Sequence, residues 1–210
     1  MESYFQVVIG MFLGYFALMN PFANTAVFLG VTGQNTAEER KKIAFKALFI
    51  TFCVVVVFAA TGKIIFHLFD ITLPALRLTG GILIFIIGYG MLNGSGSDMH
   101  KPTEDEKGSD DDNTDVAISP LAVPLLAGPG TIAVTMNNAA SGDIMHIIMT
   151  IVSFSALAII TYYFFISGDR IIKLVGKGGL TIITRLMGLI LAVIGMQMFI
   201  DGAVGASKLF

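Results

Sequence analysis

Two short stretches of an otherwise apolar chain carry residues able to hold a small ligand. They are Asn20-Pro21-Phe22-Ala23-Asn24-Thr25 and Ala127-Gly128-Pro129-Gly130-Thr131. In each, a proline falls inside a run that would otherwise read as one uninterrupted helix. Proline lacks the backbone N–H and clashes with the carbonyl four residues back. The glycines on either side of Pro129 make an unwound segment easy to adopt. In hydrocarbon, the freed N–H and C=O groups need partners from neighbouring helices, side chains, water or a ligand. A half-helix beginning near Asn24 or Thr131 would present its positive dipole end, suited to a carboxylate. One ending near Met19 or Ala127 would present carbonyls, suited to an ammonium or a small cation. Asn20, Asn24, Thr25 and Thr131 add side-chain donors and acceptors at the same depth. A zwitterion with a small side chain fits that inventory, and Ala23 and Gly130 beside the breaks favour a compact one. Without a ligand, the same prolines are kinks that only shape a bundle.

The two breaks are related. Pro21 to Pro129 is a step of 108 positions, and the same step carries Arg77 onto Arg185, Gly80 onto Gly188 and Asn93-Gly94 onto Asp201-Gly202. One gapless offset joining distant landmarks indicates two copies of one unit, each opening with a broken helix. Interrupted helices at corresponding positions of two halves are the sequence mark of a secondary transporter's binding site.

The elements that must position these residues are membrane spans. Of 210 residues, 55% are hydrophobic and 13% charged, with a mean hydropathy of +0.80. That is the composition of a polytopic membrane protein. Glu2 and the lack of a basic n-region argue against a cleaved signal peptide. Six candidate spans follow, at about 4–31 (broken at Asn20-Pro21), 43–69, 75–93, 116–138 (broken at Gly128-Pro129-Gly130), 144–167 and 180–203. Glu38 to Lys42 are expected in a polar loop. Residues 95–115 hold eight acidic residues and two lysines, a solvated linker expected to be disordered. The chain thus divides into a first three-helix repeat at 1–94, the linker, and a second repeat at 116–210.

Ten of the thirteen basic residues fall on the connections of one side, leaving Lys63, Arg77 and Lys208 for the other. The positive-inside rule then places both termini outside and the acidic linker in the cytoplasm. Three spans per copy is an odd number, so the copies must be inverted. Arg77 then opens the third span at the outer face and Arg185 the sixth at the inner face. Each arginine either snorkels to headgroups or gates and caps the break of the opposite repeat.

Other features carry less. No Asp, Glu, Lys or Arg falls mid-span, which argues against an intramembrane carboxylate relay and a strongly charged substrate. His67, His100 and His146 sit at an interface, in the linker and in a loop, without metal-ligand spacing. Asp110 to Asp115 lacks the glycine and terminal Glu of a calcium loop. Gly80, Gly81, Gly88, Gly90, Gly94, Gly188 and Gly195 permit close helix approach. Tyr89 and Gln197 are polar groups deep in their spans, able to line a cavity or bond a neighbour. Cys53 is alone, so neither a disulfide nor a dithiol redox pair can form within the chain. There is no Ser-His-Asp set, Walker loop or dinucleotide fingerprint, and the chain is not expected to be an enzyme.

Several motifs resemble the MarC family of bacterial and archaeal inner-membrane proteins. They are Asn20-Pro21-x-x-Asn24, Glu39-Arg40, Ala75 to Leu83, Pro120-Leu121-Ala122-x-Pro124-Leu125-x-Ala127-Gly128-Pro129-Gly130, Arg185-Leu186-x-Gly188-Leu189-Ile190 and Gln197. The resemblance covers essentially the whole chain. It implies a relative of LysE-type amino-acid exporters that moves small neutral amino acids such as glycine and alanine, with contacts at Asn20, Pro21, Asn24, Gly128, Pro129 and Gly130. The acidic linker departs from the family. The expected protein is a six-helix, all-α inner-membrane transporter, alternating access around two broken helices. No cofactor is expected; proton or sodium coupling and homo-oligomerisation are left open, and no nucleic-acid partner is expected. The alternatives are a non-transporting scaffold or assembly protein, or an exporter of other small metabolites or drugs.

Overall fold

The computed structural model describes residues 4–94 and 126–208, which contain helices and no strand. The helices are α1 Tyr4–Met19, α2 Pro21–Val31, α3 Ala37–Phe69, α4 Leu73–Leu92, α5 Pro129–Ala140, α6 Ile144–Ile166 and α7 Gly168–Ser207. Counting α1 and α2 as one, five stretches among the described residues are long and apolar enough to cross a bilayer. The fourth expected span, 116–138, is not among them. Its described part, α5, has 12 residues, about 18 Å at 1.5 Å per residue, short of a bilayer core of roughly 30 Å. Its expected beginning, 116–125, lies outside the described residues, as do the linker at 95–115, His100 and Pro120 to Leu125.

Local chemistry sets the helix ends. Glu38 to Lys42, expected in a loop, instead form the first turns of α3. Thr36 and Glu39 make a reciprocal capping box: the Thr36 hydroxyl accepts from Glu39 N–H, and the Glu39 carboxylate accepts from Thr36 N–H at 2.8 Å. Arg40 on that turn donates to the carbonyls of Thr32 and Gly33 at 3.0 and 3.1 Å, and pairs with Asp169 at 3.3 Å. The α2–α3 connection is thereby tied to the start of α7. His146, also expected in a loop, lies in the first turn of α6 beside its N-cap Asp143. Gly176, at φ 68°, bends α7 before its membrane-length part begins at Gly178.

The tightest packing joins α4 to α7, which run antiparallel along a seam of glycines. A methyl built on Gly81 would lie 2.7 Å from the Gly195 carbonyl, and one on Gly195 would lie 2.7 Å from the Gly81 carbonyl. Gly88 and Gly188 repeat the reciprocal pair at 2.6 and 2.8 Å. The hydrogens that fill these positions point at the opposite carbonyls, a recurring helix–helix contact worth about 0.5–1 kcal/mol each. Gly88 also meets the Ala192 amide, and Gly195 the Phe85 amide. A step of 107 residues carries Gly81 and Gly88 onto Gly188 and Gly195, and carries Phe85 and Gly81 onto Ala192 and Gly188. The seam thus repeats itself with the two helices exchanged. This corrects the matching of Gly80 with Gly188. Gly80 faces Met198 and Ala133 instead, so the 108-residue step aligns letters where packing aligns roles.

Around the seam, Tyr15, Phe28, Ile84, Phe154, Leu157, Phe165 and Leu191 form the buried core, with Phe28 stacked on Phe165 at 4.4 Å. Phe45, Phe49, Val57, Ile86 and Tyr163 are exposed, as side chains facing lipid must be. Tyr89 is also exposed and stacks with Phe85.

The first break separates α1 from α2; at the second stretch α5 begins at Pro129, and the residues before 126 lie outside those described. At the first, Asn20 adopts the left-handed conformation (φ 37°, ψ 76°) and caps α2, its Oδ1 accepting from Ala23 N–H at 3.3 Å. The Asn24 amide donates back across the break to the Met19 carbonyl at 2.5 Å. At the second, the Thr131 hydroxyl donates to the Leu126 carbonyl at 3.0 Å. Met19 and Asn24 map onto Leu126 and Thr131 by the same 107-residue step. The half-helices begin at Pro21 and Pro129, ahead of the expected Asn24 and Thr131, because proline is well suited to a first helical position.

Two stability outcomes follow. Gly88→Ala and Gly195→Ala are each expected to cost about 1–3 kcal/mol by overpacking, whereas Gly30→Ala, with open space around it, is expected to cost nothing. Asn20→Leu combines a lost cap with a branched side chain in left-handed backbone and is expected to cost about 2 kcal/mol or more. Asn20→Gly is expected to cost only a few tenths. Thermal and denaturant unfolding in detergent rank these variants, and equal losses for leucine and glycine at position 20 would contradict the second.

Candidate functional site

The two breaks meet in the middle of the bundle. Gly130 leaves room for Leu18 and Ile87, and a methyl there would lie 3.1 and 3.0 Å from their terminal carbons. Tyr15 ties α1 to α5: its hydroxyl lies 2.8 Å from Thr135 Oγ1, which in turn donates to the Thr131 carbonyl. The Thr135 proton is thereby committed, so Tyr15 is the donor. A run of hydrogen bonds therefore leads from α1 to the second break.

Beside the first break lies a cavity of about 270 Å³, far above the roughly 10–15 Å³ that one water needs. Asn20, Ala23 and Asn24 of the break line it, with Leu18, Met91, Gly94, Thr181, Thr184 and Arg185. Asn20 is only 2% exposed, and its Nδ2 is a buried donor with no partner among the described residues. The orientation of that amide is fixed, because Oδ1 must be the atom facing Ala23 N–H. An unpartnered buried donor costs about 1–3 kcal/mol, which a ligand oxygen would recover.

The remaining expected residues stand behind the cavity. Pro21 and Thr25 are buried, the Thr25 hydroxyl donating to the Pro21 carbonyl at 2.6 Å. Ala127 and Thr131 are buried, Gly128 caps α5 through no side chain, and Pro129 is exposed. None of the second-break residues lines the first cavity, whose wall that break reaches through Leu18.

The two arginines differ. Arg77 is half-buried; its Nε donates to Asn137 Oδ1 and its Nη2 to Ser141 Oγ, both at 2.9 Å. It lines a second cavity, also about 270 Å³, with Asn137, Asn138, Gln197 and Asp201. There Gln197 donates to Asp201 at 2.9 Å. Arg185 is exposed, with no hydrogen bond or ion pair to a described residue. The cavities lie at opposite ends of the α4–α7 pair: Arg77 packs against Gly202, and Arg185 approaches Gly94. Thr181 and Thr184 were missed as site residues. Their signal was present, since Thr181, Thr184 and Arg185 at i, i+3 and i+4 share one helix face.

No group of His, Cys, Asp or Glu among the described residues could hold a metal ion.

Comparison with known proteins gives the chain's place. The model of the MarC family integral membrane protein matches residues 5–207. The chain is 39% identical over 202 residues to the UPF0056 membrane protein YvbG of Bacillus subtilis, covering 96% of each. It is 37% identical to a UPF0056 membrane protein of Pyrococcus horikoshii, covering 93% of this chain and 94% of the relative. It is 32% identical to the UPF0056 inner membrane protein MarC of Salmonella typhimurium, covering 92% of each. No solved structure matches. With a family model matched almost end to end and spans to agree with it, the chain belongs to the MarC family of integral, multi-pass membrane proteins.

Proposed function

We propose that the protein is an inner-membrane secondary transporter of small neutral amino acids of the glycine and alanine class. The observation that carries this reading is the Asn20 amide, buried and unpartnered at a helix break beside a cavity. An unwound segment at membrane depth is tolerated where it lines a cavity, and broken helices meeting at a repeat interface are where such transporters hold their cargo. The substrate site comprises Asn20, Ala23 and Asn24 at the cavity. Pro21, Thr25, Ala127, Gly128, Pro129, Gly130 and Thr131 shape the two breaks around it.

The architecture that supports transport is six spans in two inverted three-helix repeats, with both termini outside. Its support is the α4–α7 seam and the paired break-spanning hydrogen bonds, both of which recur after 107 residues with the helices exchanged. Alternating access then means opening one end of the α4–α7 pair while the other closes. Arg77 is engaged by Asn137 and Ser141 while Arg185 has no such partner among the described residues, so in this reading the two ends differ in the bonds that must break as each opens. Proton and sodium coupling are the two candidates for driving the cycle.

The test is flux of radiolabelled glycine and alanine into proteoliposomes, run beside Asn20→Gly and Gly130→Leu. Saturable uptake in the parent is expected, with at least tenfold loss in each variant at unchanged insertion. A folded, inserted parent with no flux above empty liposomes for either amino acid would remove the amino-acid reading. Stable association with other membrane proteins would then favour a scaffold.

A further inference from the structure

We propose that Arg185, together with the Asn20 amide, receives the carboxylate of the ligand, and so makes this cavity selective for carboxylates over amines. The inference rests on the transport reading above and assigns a chemical polarity to its site.

Charge distribution carries the argument. Among the described residues, the cavity beside the first break is lined by one cation, Arg185, and by no Asp or Glu. The matching cavity at the other end has both Arg77 and Asp201 in its wall, and Arg77 is already held by Asn137 and Ser141. Among the described residues, only the first of these two cavities therefore carries an uncompensated positive charge beside an unused buried donor. Donors are what these two groups leave unused: a guanidinium has no acceptor, and on Asn20 the unpartnered atom is Nδ2, while Oδ1 already accepts from Ala23 N–H. Two donors and one positive charge, with partly buried walls that weaken screening, describe a receptor for a carboxylate. An amine without a carboxylate would meet the wrong sign at Arg185 and would leave the Asn20 Nδ2 donor unpaired.

Thr181 and Thr184 place hydroxyls on the Arg185 face of α7. Gly94, at φ 82°, keeps a side chain away from the guanidinium: a methyl built there would stand 3.9 Å from Arg185 Nη2. A phospholipid phosphate offers the same acceptor chemistry, and exposed arginines near span ends do reach for headgroups. The two sources separate by experiment, because only the cavity ligand also needs Asn20.

Saturation-transfer NMR on the full chain in a phospholipid-free detergent, with glycine, acetate and methylamine titrated separately, is the test. The parent is expected to bind glycine and acetate, with methylamine at least tenfold weaker. Arg185→Gln is expected to weaken glycine and acetate by about 10- to 100-fold, the range of hydrogen bonds to a charged group, and to leave methylamine unchanged. Arg185→Lys keeps the charge but not the planar fork and falls between. Asn20→Gly gives the same direction with a smaller loss, independently of how well the arginine variants fold. If Arg185→Gln and Asn20→Gly both bind acetate and glycine as the parent does, the proposal is overturned while transport survives, and Arg185 is a headgroup anchor. A parent preferring methylamine to acetate overturns the polarity. A parent binding none of the three removes both readings.

Discussion

The constraint on which this structure depends is that a backbone in hydrocarbon has no water to fall back on. Each proline break releases carbonyls and amides that cost several kcal/mol apiece if left bare in lipid. The chain answers twice in the same way, with a side chain five residues onward donating back across the gap: Asn24 to Met19, and Thr131 to Leu126. Around them, Thr25, Thr51, Thr135 and Thr161 each donate to the carbonyl one turn back. Against that thorough satisfaction, the single buried side-chain atom without a partner among the described residues, Asn20 Nδ2, stands out. Among the described residues the other buried side-chain polar atoms are satisfied, and this unpaired donor at a break is what the proposed substrate site rests on.

The seam between α4 and α7 imposes a different limit, on motion. Its two backbones touch through glycine at Gly81, Gly88, Gly188 and Gly195 with no side chain between them. Sliding one helix along the other by less than a full glycine interval would drive a side chain such as Phe85 or Phe199 into a backbone. The pair therefore behaves as one spine. Rearrangement must occur at its ends, where Arg77 and Arg185 are, or where α1, α2 and α5 lean on it. The break residues suit that, since a helix already interrupted can bend without giving up a continuous hydrogen-bond ladder.

How much of this was legible in the sequence varied with the physics. The breaks were legible because proline acts locally, wherever it falls. The offset between the halves was legible only approximately: Pro21 and Pro129 are 108 apart, while the contacts of Asn24 and Gly81 recur after 107. No residue is inserted at the break: Met19 to Asn24 and Leu126 to Thr131 span the same five positions. The proline simply sits one place later in the second stretch, after Gly128 in extended backbone where the first has Asn20 in left-handed backbone. The start of α3 was misread although Thr36-x-x-Glu39 is a capping-box signature, because the charges of Glu38 to Lys42 suggested a loop. The cavity was only partly legible. Asn20, Ala23 and Asn24 announce themselves at a break, but Met91, Thr181 and Thr184 join them only through the packing of α7 against both α4 and α2, which no local pattern encodes.

The sparse charge of the interior bears on what can be carried. A full ion moved from water into a low-dielectric slab meets a desolvation penalty that only strong pairing offsets. Among the described residues, the two cavities offer amides, hydroxyls, two arginines and one carboxylate. A ligand with no net charge needs no counter-ion to cross, but its two ends still need partners of opposite kind. Donors cluster on the Asn20 and Arg185 side, while the carbonyl end of α1 at Met19 lies in the same cavity wall. That carbonyl already accepts from Asn24, yet an oxygen has two lone pairs, so one remains for an ammonium. Donors and that acceptor in a single wall suit the small dipolar cargo proposed above better than an inorganic ion or a large amphiphile.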